Sequence, residues 1–342
     1  MDELFDAGLL RLVTAKRFGG YGLPWPVLPE AARIAARACA STAWMIALVG
    51  GHGVLAGRFP VAARQQLFCP RERQLFATAT KSTNGTLVRV GPEFVLDGTW
   101  QLCSGVEYAS WILVTGNHFR PGHEEPERLM VAVRPQKAAI SGNWQPAGMG
   151  ATGSRDIAFS RLKVPEEFVI SQRMCLQRNA VTAETYVDRV DYLPYAVSAI
   201  VGPIMGCAEG AVATCLELLS ARRTHPGLAG TDVVAATVGE SLAELSAARS
   251  LYENVLMSLH TAGCEDRDLN ASEQAALRLD RSFLARLCLK AVARIMGCTG
   301  AAIISHDHPV QRHWRNLQVM ASHIDVGWHR AITDSGTSAL KY

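Results

Sequence analysis

The feature that most constrains the fold is a change of apolar periodicity in the middle of the chain. Between about residues 74 and 168, short runs alternate apolar and polar residues, and Gly, Pro and Asn separate the runs. A period of two is typical of β-strands that bury one face. Before and after this region, apolar residues recur at three- and four-residue spacing, as in amphipathic helices. The sequence therefore predicts helices, then an antiparallel β-barrel or sandwich, then helices again.

These changes predict three domains within the 342 residues. We expect an N-terminal helical domain at 1–70, a central β-domain at 71–170 and a C-terminal four-helix bundle at 171–342. The bundle is predicted from four long helical segments joined by short loops, at 194–223, 231–262, 271–304 and 309–334. The expected fold class is a multidomain α+β architecture.

Composition excludes several classes of partner. The formal net charge is +3, and no run of Lys and Arg is longer than two residues, which argues against a nucleic-acid or anionic membrane surface. The nine Cys are scattered without a C-x-x-C pair, as expected for reduced thiols in a cytosolic protein. The acidic start is unlike a secretory signal, and the apolar stretch Ala40–Leu55 is too short to span a membrane. We expect a cytoplasmic protein.

Two phrases about 50 residues apart carry the strongest functional signal. They read Gly98-Thr-Trp-Gln-Leu-Cys-Ser-Gly105 and Gly150-Ala-Thr-Gly-Ser-Arg-Asp156, and small or hydroxyl-bearing residues close an alternating run in both. Glycine lets the backbone approach a flat ligand, and a Ser or Thr hydroxyl hydrogen-bonds a ring edge without filling its space. Both phrases are therefore candidate ligand contacts.

Four phrases together resemble the acyl-CoA dehydrogenase superfamily, and the resemblance covers nearly the whole chain. They are Arg17-Phe-Gly-Gly-Tyr-Gly, the first phrase above with the Trp that follows it, the second phrase through Val164-Pro165, and Pro309-Val-Gln-Arg-x-x-Arg-Asn with His323. In that superfamily a β-domain between two helical domains holds a flavin. The resemblance implies flavin contacts at Ser104, Gly105, Trp111, Gly153 and Ser154. It also implies that Arg222 or Arg223 reaches the flavin phosphates of a neighbouring subunit.

The resemblance also distinguishes two branches of the superfamily. Dehydrogenases need a carboxylate base, in many members the Glu of a Gly-Thr-x-Glu phrase, whereas the tail here reads Gly336-Thr-Ser-Ala and no Glu follows Glu273. Glu209 and Glu217 remain as unmarked alternatives. The Ser41, Trp44 and His52 phrase, together with His323, instead resembles the flavin-dependent monooxygenases of this fold. These include the 4-hydroxyphenylacetate 3-hydroxylase oxygenase component, the steroid-ring phenol hydroxylase and dibenzothiophene monooxygenase.

That likeness implies a two-component system. Reduced flavin, FADH2 or FMNH2, would diffuse from a separate reductase and react with O2 through a C4a-hydroperoxyflavin. The product would be a hydroxylated small aromatic or polycyclic molecule. The resemblance assigns His323 to the flavin side as a catalytic residue. It assigns His52 to the substrate side as a catalytic and substrate-binding residue, with Trp44 and Trp100 also contacting substrate. A homotetramer or homodimer is expected.

Alternative interpretations stay open at this point. The chain could be an acyl-CoA dehydrogenase-like desaturase of an acyl thioester, or a degenerate, non-catalytic scaffold of the same fold. Trp100 and Trp111 could instead pack inside the barrel. A loose dinucleotide fingerprint at 51–56 falls on a predicted helix, and the cluster His306, His308 and His313 lacks a complete ligand set, so no metal is expected. Family members usually have a longer segment before the Gly-Gly-Tyr-Gly loop. The sequence therefore does not predict the route by which substrate reaches the site.

Overall fold

The computed structural model describes residues 1–69, 73–80, 82, 84–120, 122–142, 144–178, 184–222 and 231–340. Over this part of the chain, helices come first, eight strands lie between Phe76 and Ser171, and helices follow. This is the predicted order of secondary structure. The domain boundaries themselves stay a prediction.

Five short α-helices precede the sheet: α1 Asp2–Asp6, α2 Val27–Ala36, α3 Ala40–Trp44, α4 His52–Ala56 and α5 Val61–Leu67. A π-helical turn, Met45–Val49, follows α3 directly. Helix α3 starts at Ala40, and Ser41 is buried in its first turn. Trp44 ends α3 and His52 starts α4, so the π turn sets the relative position of these two candidate residues.

The sheet has eight strands: β1 Phe76–Ala79, β2 Thr86–Val90, β3 Glu93–Cys103, β4 Trp111–His118, β5 Glu127–Val133, β6 Ala139–Ser141, β7 Arg155–Pro165 and β8 Val169–Ser171. Their order is β6-β7-β3-β2-β4-β5-β8, and β1 also pairs with β4. The three-residue strands β6 and β8 are too short for the alternation to predict them.

The purely antiparallel arrangement is corrected by the structure. β1 runs parallel to β4, with Phe76 beside Trp111, and β2 pairs parallel with β4 at Thr86 and Asn117. Both strands run in one direction, one after the other, along the same edge of β4. The sheet is therefore mixed. Alternation of apolar residues reports which face is buried and carries no information about strand direction.

The C-terminal region contains three short helices, α6 Gln172–Leu176, α7 Tyr186–Arg189 and α8 Leu193–Ser198, and five longer ones, α9 Val201–Arg222, α10 Thr231–Cys264, α11 Ala271–Met296, α12 Pro309–Ala321 and α13 Trp328–Leu340. Two predicted segments are corrected. The third ends at Met296, and the fourth is divided by a 3-10 turn at Ile324–Val326. His323 is the N-cap of this turn.

Helix α9 packs on α2 through three glycines spaced one turn apart. A Cβ atom built at Gly206 would lie 1.9 Å from the carbonyl oxygen of Arg33, and one built at Gly202 would lie 2.2 Å from that of Pro29. At Gly210 the same atom would lie 2.5 Å from the carbonyl oxygen of Arg37. Any side chain larger than hydrogen would separate the two backbones, so the glycines set the closeness of this contact.

The stretch Leu193–Ala221 is long and apolar enough to span a membrane, but 78% of its most apolar window is buried inside the protein. It is therefore accounted for as a core helix. The nine cysteines are all free, in agreement with the predicted reduced thiols.

We predict that Gly206→Ala destabilises the protein, because a methyl group there meets helix backbone that cannot rotate away. Overpacking of this kind costs about 1–3 kcal/mol, and chemical denaturation should show it as a lower free energy of unfolding. Gly239→Ala is the matched control, since no atom lies within 4 Å of its Cβ position on α10 and Ala is the better helix former. Equal stability of the two variants would contradict the proposed close contact.

Candidate active site

The two glycine- and hydroxyl-rich phrases meet where β3 ends and β7 begins. The register pairs Cys103 with Arg155, and the backbone N–H of Gly105 donates to the carbonyl oxygen of Thr152 at 2.9 Å. These pairings bring the Oγ atoms of Ser104 and Ser154 within 2.8 Å of each other. The two serines predicted as flavin contacts therefore lie together, beside a third hydroxyl that the prediction did not include.

That third hydroxyl belongs to Thr152. Its Oγ1 lies 2.9 Å from Ser154 Oγ and donates to the carbonyl oxygen of Met149 at 2.9 Å. Thr152 is 3% exposed, so these contacts are shielded from water. The three side chains form a continuous hydroxyl cluster, defined as Ser104, Thr152 and Ser154.

Unusual backbone conformations flank the hydroxyl cluster. Leu102 has a φ of 59° and Met149 a φ of 62°, in the left-handed region that non-glycine residues seldom adopt. Gly105 and Gly153 are left-handed too, at 72° and 54°. Leu102 follows a bulge in the β3–β7 pairing and its side chain is 56% exposed. Strained backbone and an exposed apolar side chain beside buried hydroxyls are typical of a ligand site.

Trp44 and His323 join this cluster from outside the sheet. The indole N–H of Trp44 donates to Ser104 Oγ at 3.3 Å, and its ring meets the His323 ring edge to face, with centroids 5.6 Å apart. Three regions distant in sequence thus contribute to one place. The structure brings together four of the predicted residues here: Trp44, Ser104, Ser154 and His323.

Asp325 contacts His323 in two ways. Its backbone N–H donates to His323 Nδ1 at 3.3 Å, and its carboxylate Oδ2 lies 3.4 Å from the same nitrogen. The backbone contact suits the neutral ring and the carboxylate suits the protonated ring. Either way Nδ1 is engaged, and Nε2 is the nitrogen through which His323 can exchange a proton with a ligand.

Behind Asp325 lies a buried cation. Burial raises the pKa of Asp325, and the charges of His323 and Arg281 oppose this rise. Arg281 is 5% exposed and donates to Ser198 Oγ at 3.0 Å; burial lowers its pKa to about 10, so it remains a cation at neutral pH. Sequence analysis missed both residues. The His-x-Asp spacing was visible, but nothing in the sequence places α11 behind it.

His52 makes two hydrogen bonds to β1. Nδ1 lies 2.7 Å from the carbonyl oxygen of Phe76 and Nε2 lies 3.1 Å from Thr78 Oγ1. A carbonyl only accepts, so Nδ1 carries the hydrogen and Nε2 accepts from the Thr78 hydroxyl. Burial lowers the pKa of His52 to about 4, against the Phe76 hydrogen bond, which raises it. The predicted role of a direct base is not supported by this geometry, because the accepting nitrogen is occupied and holds a proton weakly.

Trp100 and Trp111 are buried in the sheet, as the packing alternative expects, and their contacts with substrate and flavin stay predictions. Trp100 is 0% exposed and donates its indole N–H to the carbonyl oxygen of Thr115 at 2.8 Å. Trp111 is 4% exposed, stacks on Phe168 and lies under the guanidinium of Arg134. In β3 buried and exposed residues alternate, which places the Trp100 ring on the buried face of the strand.

The two arginines predicted to contact the flavin phosphates lie at or beyond the edge of the described residues. Arg222 ends α9, but its side chain lies outside the described residues, as does all of Arg223. In the described ranges no three His, Cys, Asp or Glu side chains form a group that could hold a metal. His313 is buried against Cys207, with Nδ1 3.6 Å from its Sγ, whereas the His306 side chain is 81% exposed.

Comparison with known proteins identifies the fold. The model of the acyl-CoA dehydrogenase C-terminal domain matches residues 198–328. The structure of XiaF from Streptomyces sp. in complex with FADH2 and glycerol superposes with a TM-score of 0.90, at 24% identity over 99% of this chain and 87% of that one. The predicted acyl-CoA dehydrogenase-like fold is confirmed.

Curated relatives cover most of the chain as well. A pigment production hydroxylase of Rhodococcus sp. is 24% identical over 94% of this chain and 84% of its own length. The oxygenase component of an FADH2-dependent resorcinol hydroxylase from Rhizobium sp. is 25% identical over 97% of this chain and 85% of its own length. The similarity extends across all three predicted domains.

The buried histidines predict sensitivity to acid. His52 and His313 both have a pKa lowered to about 4 by burial, below about 6.5 in an unfolded chain. The unfolded state then binds more protons between these values, so stability is full above about pH 6.5 and falls as the pH drops toward 4. Each histidine contributes a slope of up to about 1.4 kcal/mol per pH unit.

Urea denaturation of His52→Gln and His313→Gln across this range should show a shallower loss of stability than in the parent protein. His306→Gln changes an exposed ring and should leave the slope unaltered. A slope that is the same in all three variants would contradict the lowered pKa values.

Proposed function

We propose that this chain of the acyl-CoA dehydrogenase fold is the oxygenase component of a two-component flavin-dependent monooxygenase. It would use reduced flavin and O2 to hydroxylate a small aromatic or polycyclic substrate. The observation that carries the proposal is the meeting of the hydroxyl cluster, Trp44 and His323 in one site. Relatives named as a hydroxylase and an oxygenase component, each matching at least 94% of the chain, support it.

The residues of the site fit a flavin. Ser104 and Ser154 place hydroxyls where a ring edge can be hydrogen-bonded, and Gly105 and Gly153 keep the adjacent backbone free of side chains. The half-buried ring of Trp44 supplies an aromatic wall. When bound, reduced flavin supplies the activation of O2. The proposal is compatible with either FAD or FMN as the flavin. The similar XiaF structure contains FADH2.

His323 has the geometry of a proton donor. Asp325 contacts Nδ1 through its backbone N–H and its carboxylate, so Nε2 is the nitrogen that can face a ligand. Nε2 would hold the proton that His323 supplies to the flavin side of the site. The edge-to-face contact with Trp44 holds the imidazole plane and reduces water access on that side.

On the substrate side, we assign Thr78 rather than His52 as the contact with a substrate hydroxyl. The Thr78 hydroxyl donates to His52 Nε2 and therefore keeps its lone pairs for a substrate O–H. His52 acts as the acceptor that orients Thr78, and its low pKa keeps it neutral in this role. This arrangement orients a phenol without removing its proton fully.

The dehydrogenase alternative lacks support at its candidate bases. Arg33 donates to the Glu209 carboxylate at 2.6 Å, and Arg249 binds its other oxygen. Glu209 is 9% exposed, so this carboxylate is neutralised and enclosed between two helices. Glu217 is exposed on α9. Neither group belongs to the hydroxyl cluster, where a base for an acyl thioester would be needed.

The assembly and location are proposed on the same basis. A separate reductase would deliver the flavin, as the name "oxygenase component" of the Rhizobium relative implies for that protein. We propose a cytoplasmic homotetramer or homodimer in which Arg222 or Arg223 of one subunit contacts the flavin phosphates of another.

The decisive test is to mix the protein with reduced FAD or FMN without oxygen, and then with oxygenated buffer in a stopped-flow spectrometer. We expect a transient absorbance spectrum that differs from those of reduced and oxidised flavin, and faster decay with a suitable phenol. Immediate reoxidation with every phenol tested, joined to bleaching of bound oxidised flavin by acyl-CoA, would replace this proposal with the dehydrogenase.

A second prediction concerns His323. His323→Gln should increase the share of O2 released as hydrogen peroxide by about tenfold or more, because loss of one general acid typically costs 10²–10⁴-fold in rate. Affinity for reduced flavin should change little, since Ser104 and Ser154 remain. His306→Gln, at an exposed site, is the control. Similar peroxide yields in both variants would show that His323 is not the proton donor.

A further inference from the structure

A cavity of about 260 Å³ lies beside the 3-10 turn that follows His323. Ile324 and Asp325 of this turn line it, together with residues of α8, α11 and α13. One water takes about 30 Å³ in the liquid, and the pockets that hold ligands in proteins begin at about 300 Å³. The cavity therefore has room for a small organic molecule.

Five of the side chains that line the cavity are apolar. Pro194 and Val197 belong to α8, and Leu277 of α11 is 3% exposed. Leu193 and Ile324 are 47% and 72% exposed, although both are large and apolar. Apolar side chains that stay exposed around a concave surface favour a ligand with an apolar body.

Three arginines line the same cavity: Arg278 and Arg281 of α11, and Arg330 of α13. Arg278 forms an ion pair with Asp334, and Arg330 Nε lies 3.8 Å from the same carboxylate. One carboxylate is thus shared by two guanidinium groups, so this group of three side chains keeps a net positive charge.

Arg281 is the buried cation of the cavity, and it bonds neutral groups. Its Nη1 donates to Ser198 Oγ at 3.0 Å, and its Nε lies 3.5 Å from the carbonyl oxygen of Asp325. The carboxylate of Asp325 also lies 3.4 Å from His323 Nδ1, so its negative charge is shared with that ring. A cation that is 5% exposed is screened little by salt, and an anion beside it is attracted strongly.

We propose that this cavity binds a small acid whose carboxylate lies against Arg281 and Arg278 and whose apolar body lies beside Leu277. The planar fork of a guanidinium matches a carboxylate, and the apolar lining favours a ring or chain over an inorganic anion. The acid is the substrate of the neighbouring site or a separate ligand, and both present the same chemistry. Asp325 joins the two sites, because it lines the cavity and contacts His323.

Isothermal titration calorimetry of the full chain tests the binding, and this measurement does not depend on the proposed function. The probes are 3-phenylpropanoate, its neutral amide and inorganic phosphate. We expect the acid to bind about tenfold more tightly than the amide, the size of one charge-assisted hydrogen bond, and more tightly than phosphate. Equal affinity for acid and amide overturns the proposal, as does affinity for phosphate that matches the acid. Failure of both 3-phenylpropanoate and 2-naphthoate to bind overturns it too.

Variants locate the bound acid. Arg281→Gln removes the charge and keeps an amide that can bond Ser198, and it should raise the dissociation constant of 3-phenylpropanoate by about tenfold. Arg278→Gln changes a more exposed side chain and should raise it by about threefold, even if Arg281→Gln folds poorly. Arg286→Gln is the control on α11, because this guanidinium lies over Trp328 and outside the cavity lining. Unchanged affinity in the folded cavity variants overturns the proposal.

Turnover with reduced flavin and O2 distinguishes the two sources of the acid. If the acid is the substrate, Arg278→Gln raises the KM for 3-(4-hydroxyphenyl)propanoate by about threefold and leaves the KM for its amide unaltered. If the acid is a separate ligand, 3-phenylpropanoate changes the oxidation rate of a neutral phenol in the parent protein, and Arg278→Gln weakens this effect. Absence of turnover with intact binding of the acid would contradict the proposed function and not the acid site.

Discussion

The contact between α2 and α9 is the constraint on which the site depends. Gly202, Gly206 and Gly210 let the backbone of α9 reach the carbonyl oxygens of α2. Helix α3 follows α2 after three residues and ends at Trp44, so the depth of this contact determines how far Trp44 extends toward Ser104. The same closeness lets Arg33 of α2 reach Glu209, which lies between two of the glycines. A larger distance between α2 and α9 would both break the Arg33–Glu209 ion pair and move the Trp44 indole away from Ser104.

Strained backbone at two residues beside the sheet also shapes the site. Leu102 and Met149 adopt left-handed backbone conformations that cost energy for residues with a side chain. One exposes an apolar side chain at the end of β3, and the other directs a carbonyl oxygen into the hydroxyl cluster. The extensive pairing of the long strands β3 and β7 stabilises the sheet and offsets the energy of both strained conformations.

The sequence predicts the secondary-structure elements well and their relative placement poorly. Alternation located most strands, and the glycine-rich phrases indicated Ser104 and Ser154 because small residues at strand ends have few purely structural uses. The alternation of apolar residues does not depend on strand direction, so the parallel β1–β4 pairing could not be predicted. The break at 322–327 was missed because apolar spacing continues through it. The interactions that replace helix there are tertiary: Asp325 faces Arg281 from a separate helix. The burial of Trp100 could not be predicted, because an aromatic residue near a ligand phrase gives the same sequence pattern on either face of the strand.

The distribution of charge explains why the fold favours oxygenation over proton abstraction here. The carboxylate of Glu209 forms ion pairs with Arg33 and Arg249, so it links the helices that carry these residues. At the hydroxyl cluster the hydroxyls of Ser104 and Ser154 bond each other, and Nδ1 of the nearby His323 contacts Asp325. Removing a proton from carbon requires an unpaired anion close to the ring. Delivering a proton to an oxygen atom requires a proton-bearing group beside the site, and the His323 imidazole, which contacts Asp325, is the proposed donor. In the proposed function the carboxylate of Glu209 therefore serves helix packing, and the imidazole of His323 is the proton donor.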